Sequence, residues 1–179
     1  MEFKEFPKIA RLSREMVITE KIDGTNGQIY IGEDGEFLVG SRTRWITPEN
    51  DNAGFARWAL ENKGELLKLG VGSHFGEWWG QGIQRNYGLK EKRFSLFNVH
   101  RWLGNPDLPK CCSVVPLLYT GIFNINEIES TIQRLVTSGS IASPGFMKPE
   151  GVVIYHTAAK TLFKKTIEKD EEWKGKSKI

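Results

Sequence analysis

The sequence predicts an α+β fold, mostly antiparallel sheets flanked by helices, and three observations predict it. Short runs of strand character, separated by turn residues, dominate the chain. Only two stretches carry helical spacing. Those two are inserted among runs of strands and do not alternate with them, which argues against a doubly wound parallel sheet. Met16 to Ile22 reads as a strand that delivers Lys21 to its end. Gln28 to Ile31 and Glu36 to Val39, joined through Glu33-Asp34-Gly35, read as a hairpin. A helix starts near Asn50-Asp51 as cap, with Phe55, Trp58 and Ala59 on one face, and Gly64 interrupts it. Ser73 to Trp79, Arg93 to Val99 and Val114 to Tyr119 read as further strands. Asn126 caps a second helix whose buried stripe is Ile128, Ile132, Leu135 and Val136, and Gly139 stops it. Val152 to Tyr155 and Thr161 to Lys165 form a closing strand pair around the turn Thr157 to Lys160.

At 179 residues the chain reads as a single domain, 1–179, long enough to bury a core. A hydrophobic fraction of 39% with 26% charged residues describes a soluble globular protein. No apolar run approaches the ~20 residues of a membrane span, and Met1-Glu2-Phe3-Lys4-Glu5 lacks the apolar stretch of a signal peptide. Cys111 and Cys112 are adjacent, a poor spacing for a structural disulfide or a zinc site. They fit a reducing compartment, so the expected location is cytoplasmic, or the host-cell cytoplasm for a viral source. A net charge of +3 leaves any nucleic-acid surface to a local patch. A monomer is expected.

The chemistry concentrates in Glu20-Lys21-Ile22-Asp23-Gly24, which enters Thr25-Asn26-Gly27. It is the Lys-x-Asp-Gly signature of enzymes that attach a nucleotide to their own lysine. The string alone also recurs at ordinary strand ends followed by a turn. Its weight comes from the partners downstream in workable order: Arg42, Phe75-Gly76-Glu77, Phe94 to Phe97, Glu150-Gly151 and Lys164-Lys165. A lysine attacking a phosphate must be a neutral amine, although free lysine has a pKa near ~10.4, and nearby cations favour that form. Carboxylates hold a divalent metal through oxygen ligands. Basic side chains neutralise charge at the transferring phosphorus.

With these pieces placed, the chain resembles the phage-type ATP-dependent RNA ligases of the covalent nucleotidyltransferase superfamily, from Phe6-Pro7-Lys8-Ile9 to Lys165. The most specific segments are Glu20 to Asn26 and Phe75-Gly76-Glu77-Trp78-Trp79-Gly80-Gln81-Gly82-Ile83-Gln84. The resemblance implies a nucleotidyltransferase (ligase adenylation) domain in which Lys21 carries covalent AMP and Glu20 contacts the adenine edge. It implies that Asn26 positions the reacting nucleotide or a metal-bound water, and that Arg42 reaches ribose and phosphate. Glu77 would contact ribose and metal, Phe97 would stack on adenine, and Glu150 would hold the metal. Lys164 and Lys165 fall where the family has basic residues on the α-phosphate. Adjacent strand residues face opposite sides, so one of the pair points inward, and Lys164 is favoured. The chain departs from the family at Asn98, where an aspartate usually follows the stacking aromatic. Trp78 and Trp79 read as core, Arg44 as a solvated strand edge, and His74, His100 and His156 as structural. Walker-type and Rossmann phosphate loops are absent.

The implied function is an RNA ligase that uses ATP and Mg²⁺ or Mn²⁺ to join a 5′-phosphate RNA end to a 3′-hydroxyl. The alternatives are a minimal DNA ligase with the same residues, a capping-type guanylyltransferase, and a non-catalytic nucleotide or nucleic-acid binding module. After Lys165 only Thr166 to Ile179 remains, too short for an OB-fold or a helical RNA-binding domain. The expectation is therefore weak, salt-sensitive RNA binding through few phosphate contacts, with better sealing when a duplex or partner holds the ends.

Overall fold

The computed structural model describes residues 1–170. Among these residues ten strands form two sheets: β1 (Glu15–Lys21), β2 (Thr25–Ile31), β3 (Phe37–Gly40), β4 (Trp45–Ile46), β5 (Gly72–Gly80), β6 (Lys92–Leu96), β7 (Cys112–Val114), β8 (Leu117–Ile122), β9 (Gly151–His156) and β10 (Thr161–Thr166). Among the described residues four α-helices accompany them, α1 (Phe55–Glu61), α2 (Lys63–Leu66), α3 (Val99–Trp102) and α4 (Ile125–Ser138), with a short 3-10 turn at Leu67–Leu69. A six-stranded sheet runs β4-β3-β2-β5-β6-β7 and a four-stranded sheet runs β10-β9-β1-β8. Every pairing is antiparallel except β6 with β7. The α+β architecture with mostly antiparallel sheets is therefore present. Among the described residues no helix is long and apolar enough to cross a membrane.

Each sheet buries one face under helices. On the larger sheet Ile29, Ile31, Val39, Trp78, Phe94 and Leu96 pack against Phe55, Ala56 and Ala59 of α1 and Leu66 of α2. On the smaller sheet Met16, Ile18, Val152 and Ile154 receive Ile128, Ile132 and Leu135 of α4. A third cluster of Ile22, Trp79, Tyr87 and Val115 sits where the two sheets meet.

Several boundaries differ from the sequence reading, each for a local reason. The strand expected to reach Val99 ends at Leu96, because Asn98 turns the chain into α3 by accepting a hydrogen bond from the Arg101 amide. The run Val114 to Tyr119 is two strands in different sheets, divided at Val115-Pro116. Asp51 caps α1 at a distance: its carboxylate accepts from the Ala56 and Arg57 amides across a left-handed Gly54. Gly64 lies inside α2, and the break between the first two helices falls at Asn62. Asn124, not Asn126, caps α4, and its side chain accepts from the Asn126 amide. Val136 is exposed, and Thr131 takes its place in the buried stripe. Of the segment after Lys165, residues 171–179 lie outside the described residues.

Close packing of α1 explains one glycine. A Cβ on Gly27 of β2 would meet the Phe55 ring at 2.6 Å and the Phe94 ring at 3.0 Å. Alanine is intrinsically better than glycine inside a strand, so any loss reports overpacking alone. Gly27→Ala is expected to cost about 1–3 kcal/mol, read as a lower urea midpoint. An unchanged midpoint would show that the Phe55 ring yields.

Candidate active site

Lys21 ends β1, and the chain crosses to the other sheet in three residues, Ile22, Asp23 and Gly24. The crossing is tightly held. A side chain at Gly24 would meet the Trp78 carbonyl oxygen at 2.5 Å and the Trp79 Cβ at 2.7 Å, so glycine is required by close approach. The Gly24 amide donates to Glu77 Oε1 at 3.1 Å. The Asp23 amide donates to the Tyr87 hydroxyl at 2.8 Å, and the Asp23 carboxylate pairs with Arg85 Nε at 3.0 Å. Each residue of Lys-x-Asp-Gly thus has its own steric or polar reason.

Three ionisable groups converge at this crossing. Lys21 Nζ donates to Glu150 Oε2 at 2.7 Å. Glu150 immediately precedes β9, whose Gly151 is the cross-strand partner of Lys21. Gly151 has φ 153°, and the Lys165 backbone fills the space where its side chain would stand. Glu77 comes from β5, opposite Asn26 of β2, whose Nδ2 donates to Glu77 Oε2 at 3.0 Å. Glu77 and Glu150 are both buried. Burial pushes the Glu77 carboxyl up to about 7, with the Glu150 charge adding to the rise; Lys21 and the Gly24 and Asn26 donors oppose it.

The rest of the expected site divides along the faces of the strands. Thr19, Val153 and Lys164 are cross-strand neighbours, as are Glu20, Val152 and Lys165. Lys164 therefore shares a face with Lys21, exposed and with no bonded partner among the described residues. Lys165 points to the α4 side, where it pairs with Glu129 at 3.3 Å and Asp170 at 3.4 Å. In this arrangement it ties β10 to α4. Glu20 lies on the same face as Lys165. Only 1% exposed, its carboxylate accepts from Ser140 Oγ at 2.5 Å and from the Ile141 and Ala142 amides at 2.8 and 2.9 Å. Burial raises its pKa and the three donors oppose the rise. Its carboxylate is engaged by this loop.

Arg42 stands exposed in the turn between β3 and β4, with no bonded partner among the described residues, while Arg44 ties back to the Asn50 carbonyl. Phe97 is 40% exposed, its ring available to a planar ligand and its amide bonded to the Phe75 carbonyl at 3.0 Å. Trp78 and Trp79 are buried, as read from the sequence. His74 and His156 each donate to a backbone carbonyl. Two groups escaped the sequence reading. Val153 lies between Thr19 and Lys164 on the Lys21 face, and only the pairing register reveals it. Arg85 and Tyr87 sit in a loop whose contacts with Asp23 span more than sixty residues of sequence.

The RNA ligase family model matches residues 14–167. The chain belongs to the RNA ligase family. No curated protein sequence matches it. Among solved structures, an apo mutant of Naegleria gruberi RNA ligase superposes with TM-score 0.63 at 22% identity, over 86% of this chain and 50% of that one. Another mutant, with AMP and Mn, gives TM-score 0.64 at 24% identity over 86% and 49%. A third, with ATP and Mn, gives 0.60 at 22% identity over 88% and 51%. At these identities the likeness shows a shared fold. The chain spans about half the length of these neighbours.

For an RNA ligase family site, a divalent cation suits the donor set. Among the described residues no three or more His, Cys, Asp or Glu side chains gather into a cage. Glu77 and Glu150 are two carboxylates, and Mg²⁺ or Mn²⁺ held by one or two carboxylates fills its other positions with water and phosphate oxygens. The strained titration of Glu77 is what an added cation relieves.

That titration also has a consequence for stability. The folded-state pKa of about 7 lies above the ordinary 4.5, so the folded protein holds this proton more tightly than the unfolded chain. The associated stability is complete below pH ~4.5 and is lost as pH rises through ~7. Glu77→Gln removes this dependence. In metal-free buffer at pH 8 the variant is expected to melt several degrees above the parent, with an upper limit of ~3 kcal/mol, and the gap should close towards pH 5. Identical melting curves at both pH values would refute the assigned cause.

Proposed function

We propose that this chain is the nucleotidyl-transferring core of an ATP-dependent RNA ligase that works through a lysyl-AMP intermediate. The observation that carries the reading is the contact of Lys21 Nζ with Glu150 Oε2 at 2.7 Å, beside a second buried carboxylate, Glu77, at the junction of the sheets. Family membership supports an RNA substrate over DNA. The AMP- and ATP-bound states of the Naegleria enzymes, both with Mn, support the nucleotide and the metal.

At rest Lys21 is engaged by Glu150 and cannot attack. To become a nucleophile it must shed a proton, and the Glu150 carboxylate is an acceptor within hydrogen-bond reach. The amine then attacks the α-phosphate in line: a P–N bond forms, the bond to the bridging oxygen breaks, and pyrophosphate leaves. Phe97 offers its exposed ring to the base, while Arg42 and Lys164 supply positive charge for the phosphate oxygens. Glu77 and Glu150 would hold Mg²⁺ or Mn²⁺, which supplies further charge neutralisation at the phosphoryl group. AMP next passes to the 5′-phosphate of an RNA strand, and a 3′-hydroxyl displaces it to form the phosphodiester. All three steps are displacements at phosphorus, in which positioning and electrostatics carry most of the catalysis.

The deciding experiment incubates the protein with α-labelled ATP and a divalent cation and looks for covalent label. Lys21→Ala should abolish the label, since alanine cannot form the phosphoramidate, while sealing of a pre-adenylated strand survives. Undiminished label in that variant would refute the assignment. Glu150→Ala should slow labelling by roughly 100-fold with little change in melting temperature. Nick sealing on matched RNA and DNA duplexes tests the substrate, and faster sealing of DNA would overturn the RNA reading.

A further inference from the structure

Arg85 is the centre of a second network that no catalytic role explains. It lies between β5 and β6 and touches three separate segments with its three guanidinium nitrogens. Nε bonds Asp23 Oδ2 at 3.0 Å, Nη1 donates to the Lys148 carbonyl at 3.1 Å, and Nη2 stands 3.8 Å from Glu168. Asp23 is two residues after Lys21, Lys148 is two before Glu150, and Glu168 follows closely on β10, which carries Lys164. The fork therefore spans the segments that supply the amine, its carboxylate partner and the free lysine. A planar guanidinium suits this bridging, and an ammonium cannot reproduce the fork.

The loop presenting Arg85 is built at a cost. Gln84, Asn86 and Tyr87 have φ of 43°, 62° and 52°, a left-handed conformation that side chains disfavour. Strain of this kind persists where the surroundings over-determine it, and it concentrates at functional sites. Here the anchor is Tyr87, 1% exposed, with ring contacts to Trp79 at 5.0 Å and Phe146 at 4.6 Å. Its hydroxyl accepts from the Asp23 amide, and its carbonyl accepts from Ser143 Oγ at 2.9 Å. The Ser143 amide in turn donates to Ser140 Oγ, which bonds Glu20. Glu20 and Asp23, on either side of Lys21-Ile22, are thus tethered by loops that are also tied to each other.

We propose that Arg85 is a positioning residue for the lysine attack, acting through Asp23 and the Lys148 backbone to hold Lys21 and Glu150 in one fixed register. The proposal rests on the lysyl-transfer reading above, and two readouts keep the two separable. The first is the rate of covalent AMP labelling. Arg85→Ala should lower the rate at saturating ATP by roughly 10- to 100-fold while the apparent KM for ATP stays within about threefold. Guanidinium ion at millimolar concentration should restore part of that rate and methylammonium should not. The second readout needs no nucleotide: acylation of Lys21 by an amine-reactive reagent, followed by mass spectrometry. With its register released, Lys21 should react several-fold faster in Arg85→Ala than in the parent, and other lysines should be unchanged.

A parent-like labelling rate in Arg85→Ala, or unchanged Lys21 acylation, would overturn the positioning role. So would a loss of rate that guanidinium ion leaves unrestored and that follows a lowered melting temperature. Should the alanine variant fail to fold, Arg85→Lys decides by the same pair of measurements. Slowed labelling and faster acylation at parent-like melting support the role, and parent-like values of both overturn it. A parent protein that never acquires label would sink the lysyl-transfer reading, while the acylation comparison still judges Arg85.

Discussion

Only three residues separate the end of β1 from the start of β2, and in that distance the chain leaves one sheet and joins the other. A connection so short has no slack. It fixes how near the two sheets lie, and so how near Lys21 of one sheet comes to Glu77 of the other. Ile22 fills the junction with Trp79 and Tyr87, and Gly24 lets the backbone pass against Trp78 and Trp79. The rest of the site follows from this crossing. Asn26 falls opposite Glu77 because β2 begins at Thr25, and Glu150 meets Lys21 because β9 pairs with β1 up to its last residue.

The electrostatic design is unbalanced at rest. Two buried carboxylates share one lysine, and one of them is kept part-protonated near neutral pH by burial and by its neighbour. The backbone amide of Gly24 and the side chain of Asn26 stabilise the arrangement without cancelling the charge. A folded chain that tolerates such a site gives up stability that a bound cation offsets, the usual trade between activity and robustness. Glu20 shows the opposite solution. Its carboxylate is just as buried, but three donors from one loop satisfy it, and it became part of the frame.

What could be read from the sequence depended on whether a residue's role is local. The β2–β3 hairpin, the aliphatic part of the buried stripe of α4 at Ile128, Ile132 and Leu135, and the β9–β10 pair were legible, because alternation, helical spacing and turn residues are all short-range signals. Lys21, Glu77 and Glu150 were legible as a set because a family pattern preserves their order. The contacts of Glu20 were not legible, since nothing near it in the chain announces the loop at Ser140 that closes over its carboxylate. The split at Val115-Pro116 went unseen because an apolar run looks the same whether one sheet or two receive it. Arg85 was invisible for a related reason: its partners are drawn from three distant segments, and only the assembled fold brings them within reach of one side chain.

The neighbouring lysines of β10 carry a wider implication. Lys164 belongs to the chemical face and Lys165 to the supporting face, where it holds Glu129 of α4. The register of β10 on β9 decides which lysine faces which side. Because a slip of one residue reverses every side chain on a strand, an insertion or deletion of a single residue in the turn Thr157 to Lys160 would exchange the faces of the two lysines. The turn is constrained in its residues as well as its length: Lys160 has φ 50° and the Thr157 hydroxyl donates to the Glu15 carbonyl. Drift in this part of the protein should preserve its spacing.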